Sequence, residues 1–287
     1  GTWTAHTVSH LEGQGSIHAA DMDGDGDLDI LGVSALGLPG VPDFAWWENT
    51  AGDGRAWTYH VGTYDFNNLS LVYVADMDGD GDLDVLGASF VGQEVVWWEN
   101  TGPCNGPHDE CSDWTLHSVS TDFSKPYVVF AADIDGDGDL DVVTASRNDD
   151  SIDWVENLGG TPLTWSVHNI TAAFSDPLGA FPADLDNDGD IDVLGTSLTD
   201  DDLAWWENDG SQGFALHTIE AAFDGAHPVC ASDIDQDGDL DVIAGSAESG
   251  YVTWWENDLN PYSGSQRISY SLPRDKWVMM GIPCYPT

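Results

Sequence analysis

The chain has 287 residues with 6 Lys and Arg against 52 Asp and Glu, a formal charge of −46; 41% of it is hydrophobic and 14 residues are Trp. So acidic a surface repels nucleic acid and anionic lipid alike, so neither is expected as a partner, and the apolar and aromatic content excludes an acidic disordered tail. No apolar run is long enough to span a bilayer and no signal peptide is evident; no membrane insertion is expected, and Gly1 reads as a mature or excised start.

The chain opens on Trp3 to Val8, a strand-like run whose Trp-Thr-x-His pattern returns later. A unit then repeats with a period of about fifty residues, the range of propeller blades. Its first strand runs as Ser16 to Ala20, Val72 to Ala75, Val128 to Ala132, Gly179 to Ala183 and Val229 to Ser232.

Each first strand leads into a nine-residue acidic loop. The carboxylates are Asp21, Asp23, Asp25, Asp27 and Asp29; Asp76, Asp78, Asp80, Asp82 and Asp84; Asp133, Asp135, Asp137, Asp139 and Asp141; Asp184, Asp186, Asp188, Asp190 and Asp192; Asp233, Asp235, Asp237, Asp239 and Asp241. Position 6 is Gly in every copy. Five carboxylates in nine residues repel one another unless a cation draws them together, and the glycine allows the sharp bend that lets them converge. Oxygen ligands on a flexible loop select Ca²⁺ over Mg²⁺, which demands an octahedron. Five calcium sites are expected, one per unit. An EF-hand would need a bidentate Glu at position 12, where Gly32, Gly87, Thr144 and Gly195 stand instead.

The second strand leaves the loop, as Leu28 to Ser34, Leu83 to Ser89, Leu140 to Ser146, Ile191 to Ser197 and Leu240 to Ser246. The third ends in Trp-Trp-Glu-Asn at Trp46, Trp97, Trp205 and Trp254, with Trp154-Val-Glu-Asn157 in the middle unit. Neighbouring strand residues point to opposite faces, and both faces of a blade meet other blades, so these indoles read as inter-blade core. The fourth strand repeats as Trp57 to Val61, Trp114 to Val119, Trp165 to Ile170 and Phe214 to Ile219, each with a histidine that reads as a recurrent hydrogen bond rather than a catalytic base. The fifth unit has only three strands by Asn257, so the N-terminal strand is expected to complete it.

The resulting expectation is an all-β, five-bladed β-propeller of four-stranded blades over residues 1–258, with a C-terminal extension, 259–287, that is either the start of a further domain or a docking arm. Calcium loops share one face with the Cys104 to Cys111 insertion, whose two cysteines read as a disulfide. The opposite face carries Phe66, Phe123, Phe174 and Phe223, which read either as inter-blade staples or, with acidic neighbours, as ligand-face candidates. The basic residues of the repeats, Arg55, Lys125 and Arg147, are assigned to three different blades, too dispersed to neutralise a uronate in lyase chemistry.

The loops and the Trp-Trp-Glu-Asn strands resemble the FG-GAP/VCBS repeats of secreted bacterial proteins, related to integrin α-chain propellers and fungal propeller lectins. The resemblance covers nearly all of residues 1–258 and implies one Ca²⁺ per blade. It also implies work in adhesion, carbohydrate binding or spacing, more rarely in polysaccharide cleavage. The expectation is a non-catalytic, calcium-stabilised module, extracellular or at the cell surface, whose partner is a protein or glycan, with possible self-assembly through the tail.

Overall fold

The computed structural model describes residues 4–9, 14–34, 40–64, 66, 69–101, 114–259 and 270–271. Among the described residues twenty strands form five antiparallel four-stranded sheets, the blades of a ring. Blade one holds β1 (Gln14–Ala20), β2 (Asp29–Ser34), β3 (Phe44–Glu48) and β4 (Thr58–Thr63); blade two holds β5 (Leu69–Ala75), β6 (Asp84–Ser89), β7 (Glu94–Asn100) and β8 (Trp114–Ser120). Blade three follows with β9 (Pro126–Ala132), β10 (Asp141–Ser146), β11 (Ser151–Asn157) and β12 (Trp165–Thr171), and blade four with β13 (Pro177–Ala183), β14 (Asp192–Ser197), β15 (Leu203–Asn208) and β16 (Phe214–Glu220). Blade five has β17 (Ala226–Ser232), β18 (Asp241–Ser246), β19 (Tyr251–Trp255) and the short β20 (Tyr270–Ser271). Among the described residues no helix is long and apolar enough to cross a membrane.

The fourth strand of blade five corrects one expectation. Residues 4–9 belong to no sheet; β20, from the C-terminal extension, pairs with Tyr251 and Val252 instead. A return from the nearby chain closes a short loop, whereas the N-terminus would have to be fixed across the whole ring, at a higher entropic cost. The extension therefore contributes to the propeller.

Alternation along each strand sends successive side chains to opposite neighbours. Trp46 and Trp98 pack in the cluster between blades one and two; Trp97 lies between two and three, Trp154 and Trp206 between three and four, and Trp255 between four and five. Such clusters fill four junctions. At the fifth, between blades five and one, no such cluster forms among the described residues, and the same repeat positions are more exposed. Ile234 is 41% exposed where Met22, Met77, Ile134 and Leu185 are 2–4%, and Ile17 is 42% exposed where Val72, Val129 and Ala180 are at most 3%.

A register shift interrupts the pairing of third and fourth strands at the same place in blades one to four, as between Leu203 and Ala204. These bulges add local twist to the blade. The innermost strands β1, β5, β9, β13 and β17 line a central channel of about 850 Å³. Edge-to-face contacts run along its wall from His18 to Tyr73, to Phe130, to Phe181, with centroids 5.5, 5.4 and 5.3 Å apart. Cys230 takes the corresponding place on β17 and is buried in the core between blades four and five.

Candidate metal centres

Each acidic loop folds around its own carboxylates. In the first, Asp21 accepts the N–H groups of Asp25 and Gly26 at 3.0 Å, and Asp25 accepts that of Asp27 at 2.8 Å. The backbone conformation explains which residues may vary. Position 6 has φ between 95° and 100° in all five loops, and position 4 has φ between 60° and 75°. The second range is the left-handed basin that Asn and, at some cost, other residues enter, and Asn187 and Gln236 stand there; the first is open only to glycine, and glycine is always found.

The fold brings together positions 1, 3 and 9. Carboxylate oxygens of Asp21, Asp23 and Asp29 lie within 4.8 Å of one another, as do those of Asp76, Asp78 and Asp84, of Asp133, Asp135 and Asp141, of Asp184, Asp186 and Asp192, and of Asp233, Asp235 and Asp241. Position 5 stays in the loop but outside this triad. Position 7 turns its side chain toward the connection between third and fourth strands: a Cβ on Gly210 would strike Asp190, and Asp239 accepts the N–H of Leu259. The expected carboxylates therefore divide into a convergent set and a supporting set.

Position 9 has a second task. Asp84 accepts the N–H of Met77 on one oxygen and that of Asn100 on the other, both at 2.8 Å, and the other four copies repeat the arrangement. It ties the loop to the end of the third strand. Burial pushes these carboxyls up, to about 6 in Asp29 and Asp141 and about 7 in Asp84 and Asp192, although the N–H bonds pull the other way. Asp23, Asp78, Asp135 and Asp186 are raised too, chiefly by burial, with neighbouring loop aspartates and the Glu of Trp-Trp-Glu-Asn (Glu156 in the middle unit) adding repulsion.

These features fit a hard divalent cation. Asp133 Oδ1 and Asp237 Oδ2 are buried acceptors with no hydrogen-bond partner, a costly state that an ion relieves. The all-oxygen set is the donor chemistry of hard cations such as Ca²⁺ and Mg²⁺.

Other features of the repeat support the scaffold. The fourth-strand histidines stack on the first Trp of each pair and bond the following Glu, as His168 does on Trp154 (centroids 4.4 Å) with Glu156 at 2.7 Å. The Asn of Trp-Trp-Glu-Asn was not read from the sequence as functional, although its constant place beside Glu was a signal. Asn208 and Asn257 reach across to carbonyls of the preceding blade, those of Ile134 and Leu185.

The ligand-face reading of the phenylalanines is corrected. Phe66, Phe123 and Phe174 are buried, and Phe66, Phe174 and Phe223 set their rings edge-to-face on Trp98, Trp206 and Trp255. Acidic turns on this face are also occupied structurally: Asp200 accepts the N–H of Ser175 and Asp201 that of Gly225. Cys104 and Cys111 lie outside the described residues, as does Cys284. The basic residues are less dispersed than expected. Lys125 and Arg147 flank the same blade, where Arg147 N–H meets the Lys125 carbonyl, and both cations lie over the ring of Phe90, at 5.0 and 5.9 Å from its centroid.

The ring of four-stranded blades, each with one convergent carboxylate loop, defines a repeat β-propeller. The profile of the FG-GAP-like repeat matches residues 76–144, 133–195 and 184–244, more than half of the chain, which thus belongs to that family. No curated protein gave a significant match. Among solved structures, an Agrocybe aegerita lectin that recognises non-reducing terminal N-acetylglucosamine superposes with a TM-score of 0.57 at 19% identity, over 86% of this chain and 63% of its own. A putative 6-phosphogluconolactonase from Bacteroides uniformis gives 0.57 at 13%, over 94% and 76%, and the Vibrio cholerae biofilm matrix protein Bap1 gives 0.51 at 14%, over 89% and 40%. The chain thus spans less than two thirds of the lectin and of the matrix protein. At these identities the likeness is one of fold.

Proposed function

We propose that this chain is a non-catalytic, calcium-stabilised module, working outside the cell, that mediates adhesion or assembly within a larger secreted or surface protein. The observation that carries this reading is the fivefold carboxylate triad. Every blade has one, and each would be filled by the millimolar calcium of extracellular fluid even if its affinity were weak. At calcium ten to a hundred times the dissociation constant, each site contributes about 1.4 to 2.7 kcal/mol to folding. Five would decide the stability of a fold that is otherwise marginal. The test is calorimetry in millimolar calcium and in chelator. A melting temperature raised by tens of degrees with calcium supports the reading, and a curve unmoved by chelator rules it out.

A second reading is a carbohydrate-binding propeller. It draws on the aromatic wall of the central channel and on the fold shared with a lectin. Binding on a glycan array in calcium supports it; a silent array counts against it.

A further inference from the structure

Positions that serve the scaffold are the same in every repeat; one patch on the face away from the acidic loops departs from the repeat. Phe90 and Arg147 occupy one repeat position, each following the Ser that ends a second strand; Tyr127 and His227 share another, near the start of the first strand. The remaining blades have Ala35, Leu198 and Ala247 at the first position and Gly15, Ser70 and Leu178 at the second. The fold gathers these unlike residues. Tyr127 meets Phe90 and His227 edge-on, with centroids 6.4 and 5.6 Å apart, and the Arg147 guanidinium lies 5.6 Å from the Tyr127 ring.

Charge sets the patch apart from the rest of the molecule. Among the described residues, Arg55 pairs with Asp53 and Arg147 holds Asp176 through two hydrogen bonds of 2.5 and 2.8 Å, whereas no carboxylate lies in salt-bridge reach of Lys125. Asp149 and Asp150, on the adjoining turn, accept the N–H groups of Ser124 and Asp176. His227 lines the end of the channel, and its Nδ1 is buried with no hydrogen-bond partner. Burial, with Arg147 close by, lowers its pKa to about 4, so the ring is neutral.

We infer that Phe90, Lys125, Tyr127, Arg147 and His227 form a subsite for a carboxylate-bearing sugar. Lys125, with no carboxylate in salt-bridge reach, supplies the positive charge for the sugar carboxylate, with Asp176 fixing Arg147 beside it. Tyr127 supplies an aromatic surface against which the C–H groups of a pyranose pack. The His227 ring, edge-on to Tyr127, closes the patch toward the channel. The inference deepens the carbohydrate reading and rests on it.

The experiment is ligand-observed NMR on the calcium-loaded chain with methyl glucuronide and methyl glucoside as probes. Glucuronide is expected to bind and glucoside not. Lys125→Gln should weaken glucuronide binding by about tenfold or more, the scale of a lost charge-assisted hydrogen bond. Arg55→Gln, which removes the same charge on the calcium face, should leave it unchanged. Absence of glucuronide binding, equal binding of the two sugars, or equal losses in the two variants would each overturn the inference. Binding of neutral sugars with indifference to Lys125 would keep the carbohydrate reading while discarding this subsite. Melting curves of the same samples report the calcium loops separately.

Discussion

His60 lies face to face with Trp46, centroids 4.2 Å apart and planes inclined by 14°, and its Nε2 bonds Glu48 at 2.8 Å. Blades two to four repeat the stack, but its setting changes around the ring: the His60 side chain is 4% exposed and that of His217 is 43%. His60→Ala should cost about 2 to 3 kcal/mol, through a lost stack, a cavity and a lost bond to a charged group. His217→Ala should cost less than about 1 kcal/mol, as for an exposed ion pair. Urea denaturation in calcium measures both, and equal costs would refute the packing account.

Ligand and structural roles of the loop carboxylates are separable. Asp84→Asn would set an amide N–H₂ against the N–H of Met77 or Asn100, so it should destabilise the protein by about 1 to 3 kcal/mol even in chelator. Asp78→Asn should leave the chelated protein nearly unaffected and remove the calcium-dependent gain of that blade. Melting of the two variants with and without calcium checks the distinction.

The two glycines of a loop should respond differently. Gly81 has φ of 100°, and Gly81→Ala should lose the bend and with it one bound ion, counted by titration. Gly79 has φ of 75°, and Gly79→Asn should keep the ion, because Asn187 already holds that place in blade four. Five ions retained by Gly81→Ala would contradict the reading.

Calcium and pH should act in opposition on the ion-free protein. Folding raises Asp84 and Asp192 to about 7 and Asp29 and Asp141 to about 6, from 3.8. Between those limits the folded chain holds protons that the unfolded chain has released, so stability in chelator falls as pH rises through 4 to 7. Calcium needs the ionised carboxylates, so its stabilising effect grows over the same window. Melting temperatures at pH 5 and pH 8 should therefore diverge between chelator and calcium; parallel curves would show that these groups do not govern the site.

Much of this was legible because it is local. A loop of nine residues carries its own turn glycine and carboxylates, and Trp-Trp-Glu-Asn fixes face and period together. What escaped is pairing between distant parts. The strand at the edge of blade five is chosen by loop entropy among segments of weak preference, and Trp3 to Val8 has the stronger motif. Phe90 and Lys125 are 35 positions apart and meet only because adjoining blades turn their hairpins to the same side. The phenylalanines were ambiguous because the same ring suits a binding platform and a staple, and only their burial decides.

Among the described residues the junction between Ile234 and Ile17 is the one without a buried apolar cluster, which gives them a middle and two ends. Loss of structure should spread inward from blades one and five, because each has a joint on one side alone, while blade three is gripped from both. Amide hydrogens of β10 and β11 should then exchange last, and a ring that looks symmetric in outline would behave as a linear stack.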